Sequence, residues 1–226
     1  MINVVILAAG LGKRMHSSLP KVLQPLAGRP MISHVLSAVQ TVKDVAKTVV
    51  VVGHKAEEVK AALAGFDNVE YALKEPQLGT GHALQQALPL LDPAAETTLV
   101  LLGDVPLIQP ETIERLRDAA GDGMALLTTV LRNPTGYGRI LRQRGRIVAI
   151  VEQKDATEGQ KQIREVNTGI MLFPTARLSG WLSELKPANA QAEYYLTDVI
   201  GLAVRDGVRI NSARPRRSFE VEGVNS

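Results

Sequence analysis

A short apolar run, Val4 to Ala8, passes without a break into Ala9-Gly10-Leu11-Gly12-Lys13-Arg14. This junction restricts the fold more than any other feature of the chain. A strand that is apolar at every position is buried on both faces, as in a parallel sheet covered by helices. In open sheets of that kind ligands bind in the crevice beyond the carboxyl ends of the strands. A glycine-rich turn at such an end is therefore a candidate ligand loop.

The rest of the chain alternates in the same way. Strands are predicted at Thr48 to Val52, Val69 to Leu73, Thr98 to Leu102, Ala125 to Leu131, Gly169 to Phe173 and Val208 to Ala213. Pro30 to Val42 is predicted as a helix, since proline suits a first turn and Met31, Val35, Val39 and Val42 recur at helical spacing. Further helices are predicted at Ala56 to Ala64, Thr80 to Leu88, Pro110 to Ala120, Ala176 to Leu185 and Leu196 to Arg205. Arg139 to Arg142 and Arg146 to Val151 flank Gln143-Arg144-Gly145 and predict a hairpin. The expectation is an α/β fold with a mostly parallel sheet and helices on both faces.

Composition excludes several kinds of chemistry. The absence of cysteine among the 226 residues rules out disulfides, thiolate metal sites and a cysteine nucleophile. Met1 to Gly10 has neither the charged start nor the cleavage site of a signal peptide, and the apolar runs are too short to span a bilayer. A soluble cytoplasmic protein is expected, with no membrane partner. The net charge is +3, and the one basic cluster, Arg205, Arg209, Arg214, Arg216 and Arg217, reads as a solvated surface. No nucleic-acid partner is expected.

Three segments carry the candidate chemistry. In the first, Gly10 and Gly12 with Ala8 and Ala9 let backbone N–H groups fold closely around phosphates, with Lys13, Arg14 and later Lys21 as cations. The segment fits neither the dinucleotide fingerprint, which needs a small residue where Met15 stands, nor the P-loop, which needs Ser or Thr after Lys13. Taken alone it is either a phosphate cradle or a plain glycine turn. In the second, Leu102-Gly103-Asp104-Val105-Pro106-Leu107 follows a buried strand, so Asp104 is either a Mg²⁺ ligand or a strand-ending turn residue. In the third, Gln77-Leu78-Gly79-Thr80-Gly81-His82-Ala83 opens a helix where close backbone approach suits a flat base, while His82 reads as a packed or capping histidine.

The spacing of Leu7, Gly10, Gly12, Arg14, Met15, Pro20 and Lys21 resembles the signature of nucleotide-diphospho-sugar pyrophosphorylases. The ordered set of Leu19 to Leu23, Gln77 to Ala83, Gly103 to Leu107, Pro134 to Ile140, Ile150 to Ala156, Asn167 to Ile170, Glu193 to Asp198 and Glu220 to Asn225 narrows it. Over residues 2 to 225 the chain is similar to the uridylyltransferase domain of bacterial bifunctional uridylyltransferase/acetyltransferases. The resemblance implies a Rossmann-like, GT-A-like nucleotide-diphospho-sugar transferase fold with a central, mostly parallel mixed sheet. It implies transfer of UMP from UTP to N-acetylglucosamine-1-phosphate by Mg²⁺-assisted in-line displacement. The implied roles are charge neutralisation for Arg14 and Lys21, and Mg²⁺ binding for Asp104 and Asn225. Uridine contact falls to Leu7, Ala8, Ala9, Gly10, Gly79 and Thr80, and sugar contact to Gly138, Glu152 and Asn167, with Leu102 and Gly103 as further substrate-binding residues.

The sequence departs from the family in three places. Lysine stands at position 13 where threonine is usual. The base-binding glutamine corresponds to Lys74, which donates hydrogen bonds but accepts none. The usual tyrosine before Gly103-Asp104 is Leu102. Residues 1–226 are expected to form one nucleotidyltransferase domain without the family's left-handed β-helix acetyltransferase domain, which leaves the oligomeric state open.

Overall fold

A computed structural model describes residues 1–10 and 19–224. The chain opens with β1 (Ile2–Leu7), then a tight hairpin of β2 (Pro25–Leu26) and β3 (Arg29–Pro30), and α1 (Met31–Val39). There follow β4 (Val45–Val52), α2 (Ala56–Ala62), β5 (Val69–Leu73), α3 (Thr80–Ala87), β6 (Thr97–Leu102), α4 (Pro110–Ala120) and β7 (Met124–Val130). The last third holds β8 (Arg139–Gln143), β9 (Arg146–Val151), α5 (Glu158–Lys161), β10 (Glu165–Pro174), α6 (Thr175–Glu184), α7 (Val199–Arg205) and β11 (Ile210–Ala213).

Seven strands form the main path of one sheet, in the order β11-β7-β10-β6-β1-β4-β5, and the β8–β9 hairpin attaches to β10. β1 lies parallel between β4 and β6, with Val5 opposite both Val49 and Val100. Because strand side chains alternate between faces, the apolar run feeds two cores. Ile2, Val4 and Ile6 join Leu36 of α1, Val59 of α2 and Leu116 of α4 on one face. Val5 joins Leu84 of α3, Trp181 of α6 and Ile200 of α7 on the other. Ile2, Val4, Val5 and Ile6 have no solvent exposure. At about 25 cal/mol per Å² of apolar surface, each contributes roughly 1.5–3 kcal/mol. No helix among the described residues is long and apolar enough to cross a membrane.

The mixed parallel sheet and the predicted hairpin are present, with shifted ends. α1 stops at Val39, where the Thr41 hydroxyl donates to the Ala38 carbonyl and competes with helix continuation. The helix expected over 196–205 begins as a 3₁₀ turn, Leu196–Asp198. Two short elements have only local signals. The β2–β3 turn places Ala27 and Gly28 at positive φ, as a two-residue hairpin requires. α5 is opened by a reciprocal Thr157–Gln160 capping box.

β10 decides where the later sequence goes. It runs antiparallel between β6 and β7. An antiparallel strand begins where its parallel neighbours end. The start of β10, and the start of β8 paired to it, therefore lie at the carboxyl edge of β6.

Candidate active site

The chain leaves β1 and β6 at the point where the strand order reverses. β1 connects to β4 on one side, while β6 lies on the other. The two exits are tied together, since the Gly103 N–H donates to the Leu7 carbonyl at 3.0 Å. Gly103 is tightly enclosed: a Cβ there would stand 3.0 Å from Val22 and 3.3 Å from the Ala8 methyl, which would have to yield by a few tenths of an ångström.

Two cavities open at this edge. The smaller, about 240 Å³, is lined by Leu7, Ala8, Ala9, Gly10, Lys21, Val22, Lys74, Thr80, Ala83, Leu102 and Asp104. The larger, about 370 Å³, takes its wall from Gly136, Tyr137, Gly138, Glu152, Asn167 and Gly169, together with Lys21, Leu102 and Asp104. The last three residues belong to both. Lys21 Nζ donates to Asp104 Oδ2 on this common wall. A wider cavity of about 940 Å³ beside Arg142, Arg146 and Arg209 shares none of these residues and contains no carboxylate.

The smaller cavity is mostly apolar, and besides Lys21, Asp104 and Thr80 its wall carries Lys74. Its side chain is buried, at 7 % exposure, and makes no hydrogen bond among the described residues. Burial lowers its pKa, and Glu193 partly offsets that. Gly79 lines neither cavity. It sits at φ +105°, where a Cβ would lie 2.6 Å from the Tyr194 carbonyl oxygen, so it lets the base-side loop press against that residue. Gly103 also lines neither cavity, and its nearest neighbours are the Val22 and Ala8 side chains. His82 is absent from both walls, and its Nε2 meets the Gln86 amide.

The larger cavity is polar and braced from behind. Gly138 presents its carbonyl to the Asn167 N–H, and a Cβ on Gly138 would lie 3.2 Å from Glu152 Oε1. Gly169, at φ +84°, leaves room for Leu102, which a Cβ would approach to 2.7 Å. Burial pushes the Glu152 carboxyl above the usual range. A hydrogen bond from the Thr197 hydroxyl at 2.9 Å pulls it down, Asp198 and Asp155 raise it, and Arg139 lowers it.

Arg139 and Gln153 form a clamp that sequence reasoning assigned no role. Arg139, buried to 1 % exposure, donates to the Tyr137 carbonyl and to Gln153 Oε1 at 2.7 Å. Gln153 Oε1 also accepts from the Gly136 N–H. The loop 135–138 is thereby fixed to the segment just after β9. The only sequence signal was that Arg139 and Thr197 stand inside ordered motifs.

Arg14 and Asn225 lie outside the described residues. The neighbouring chain is informative for Asn225: the Val224 N–H donates to the Asp104 carbonyl at 3.0 Å. Buried Glu220 anchors that tail by accepting from the Thr112 hydroxyl and the Arg217 N–H. Asp104 is the one carboxylate on both cavity walls. No cluster of three acidic, histidine or cysteine side chains occurs among the described residues. That donor set fits Mg²⁺ of the kind that takes one or two protein carboxylates and completes its shell with substrate phosphates and water.

A model of the MobA-like NTP transferase domain matches residues 4–169. The chain belongs to this NTP transferase family. Along its whole length this NTP transferase domain is 58% identical to the bifunctional protein GlmU of Paraburkholderia phymatum and 57% identical to that of Bordetella parapertussis. It spans about half the length of these curated relatives, 49% and 50%. Solved structures share the transferase fold. A UDP-glucose pyrophosphorylase complexed with UDP-glucose superposes with TM-score 0.78 at 18% identity, covering 98% of this chain and 94% of that one. A putative glucose-1-phosphate thymidylyltransferase from Bacillus anthracis gives 0.72 at 23% identity, covering 95% and 87%.

Proposed function

We propose that this domain transfers UMP from UTP to N-acetylglucosamine-1-phosphate, giving UDP-N-acetylglucosamine and pyrophosphate. One observation carries the reading. An apolar cavity of base size and a polar cavity of sugar size meet on a wall bearing one lysine and one aspartate. Two substrates joined through a phosphate need that layout. The high identity to proteins named bifunctional GlmU supports the choice of substrates. The absence of cysteine suits the reducing cytoplasm we propose as its compartment.

The chemistry is direct displacement. A phosphate oxygen of the sugar phosphate forms a bond to the α-phosphorus of UTP as the bond to pyrophosphate breaks on the opposite side. The sugar phosphate is ionised at neutral pH, so neither a protein nucleophile nor a general base is required. Positioning and charge stabilisation supply the acceleration. Lys21 faces both cavities and offsets phosphate charge, a role we extend to Arg14. Asp104, with Asn225, would hold Mg²⁺, which supplies further stabilisation of charge on the phosphate oxygens. Leu7 to Gly10 and Thr80 bound the base and ribose, and Glu152 and Asn167 meet the sugar's hydroxyl and amide groups.

The test is a pyrophosphate-release assay with UTP, N-acetylglucosamine-1-phosphate and Mg²⁺, run beside glucose-1-phosphate and beside a chelator. Release that needs all three components and prefers the N-acetylated sugar is expected. Silence, or equal turnover of glucose-1-phosphate, would overturn the assignment.

A further inference from the structure

Of the two carboxylates on the wall of the larger cavity, Asp104 pairs with Lys21, while Glu152 has its direction set from a distant part of the sequence. Thr197 is buried, at 6 % exposure, and a buried hydroxyl costs stability unless it is bonded. It spends its proton on Glu152 Oε1. The segment carrying it, residues 194–197, is fixed at its other end to the base-side loop. The Tyr194 N–H donates to the Leu78 carbonyl and the Gly81 N–H to the Tyr194 carbonyl, both at 2.8 Å. The Leu196 N–H donates to Thr80 Oγ1 at 3.1 Å. The missing side chain of Gly79 permits this contact, because any Cβ there would collide with Tyr194.

We infer that residues 194–197 are a strap that references the sugar-side carboxylate to the base-side loop, with Thr197 the positioning residue for Glu152. The inference rests on the sugar-phosphate reading of the larger cavity and deepens it. Glu152 has acceptor capacity beyond the one bond to Thr197, and it lines the cavity, so its remaining lone pairs are available to substrate hydroxyls. Held from behind, the carboxylate meets them without first losing side-chain freedom. The charged groups around it are Arg139 on β8, Asp155 beyond β9 and Asp198 beside the strap. Only Thr197 gives it a hydrogen bond among the described residues.

Thr197→Val keeps the volume and removes the hydroxyl, and Thr197→Ser restores it. Steady-state pyrophosphate release is measured for wild type and both variants, varying each substrate across about pH 4 to 9, a window that includes the ordinary carboxylate pKa of about 4.3 and the phosphate pKa of about 6. T197V is expected to raise KM for the sugar phosphate by roughly tenfold, the size of one hydrogen bond to a charged group, and to leave KM for UTP unchanged. The hydrogen bond from Thr197 lowers the Glu152 pKa, so its loss raises that pKa further. The acid limb of kcat/KM therefore moves to higher pH in T197V and returns in T197S. The sugar phosphate's own ionisation is common to all variants and cancels in the comparison. Thr197→Ala carries the same readouts if the valine variant does not fold. A folded variant lacking the hydroxyl, with wild-type sugar KM and acid limb, overturns the strap while leaving the proposed reaction intact. A wild type that neither binds nor turns over the sugar phosphate overturns the reaction and the strap together.

Discussion

Gly138→Ala tests whether the larger cavity is shaped by what is left out of it. The backbone at Gly138 is not in the left-handed region, so alanine brings no backbone strain. The difficulty is space. The new methyl would stand 2.9 Å from Ile150 Cγ2, 3.2 Å from Glu152 Oε1 and 3.3 Å from Oε2. Ordinary contact begins near 3.4 Å, so Ile150, itself in the core, must yield by about half an ångström. Such overpacking costs about 1–3 kcal/mol, or roughly 2–12 °C in Tm for a chain of this length. The methyl also turns Glu152 out of its direction and desolvates it further. KM for the sugar phosphate should rise by about tenfold or more, the value of a lost charged hydrogen bond, while KM for UTP stays near wild type. Calorimetry and the two-substrate pyrophosphate assay together read both effects. A G138A protein with unchanged Tm and unchanged sugar KM would refute the claim that Glu152 needs this gap.

Other residues give sharp expectations. Asp104→Asn preserves shape and removes the negative charge common to both cavities, so turnover should fall on the order of 10²–10³-fold, as for removal of a preorganised charge contact, with the circular dichroism spectrum intact. Lys74→Gln gives the base pocket an acceptor as well as a donor, and preference for UTP over CTP should sharpen by about tenfold, one hydrogen bond. Because burial lowers the Lys74 pKa, the wild type loses this cation at lower pH than an exposed lysine would. Its UTP affinity should therefore weaken on the alkaline side, a limb that K74Q lacks in direct titrations. Glu165 accepts both Arg142 Nε and Nη2 at 2.8 Å, and that pairing holds its carboxyl below the ordinary range. Its contribution is present above the unfolded pKa and disappears as pH falls through the depressed folded value. Glu165→Gln should cost about 1 kcal/mol at neutral pH, with the melting difference closing in acid.

Much of this molecule is a consequence of local pattern. Apolar runs such as Val4 to Ala8 admit no solvent-facing side, so they dictated buried strands and a helix-covered sheet before any contact was known. Glycine turns after those runs marked the candidate ligand loops, and Asp104, two residues beyond β6, lines both cavities. Tertiary structure alone decided what stands behind the site. The antiparallel insertion of β10 carries Asn167 to the edge where β6 ends. The Arg139–Gln153 clamp and the Thr197 bond to Glu152 join residues 14 and 45 positions apart. Hydrophobic periodicity reports which way each residue faces along its own strand or helix. It holds no record of which distant hydroxyl a buried carboxylate will meet, because that pairing exists only once the sheet has closed around both.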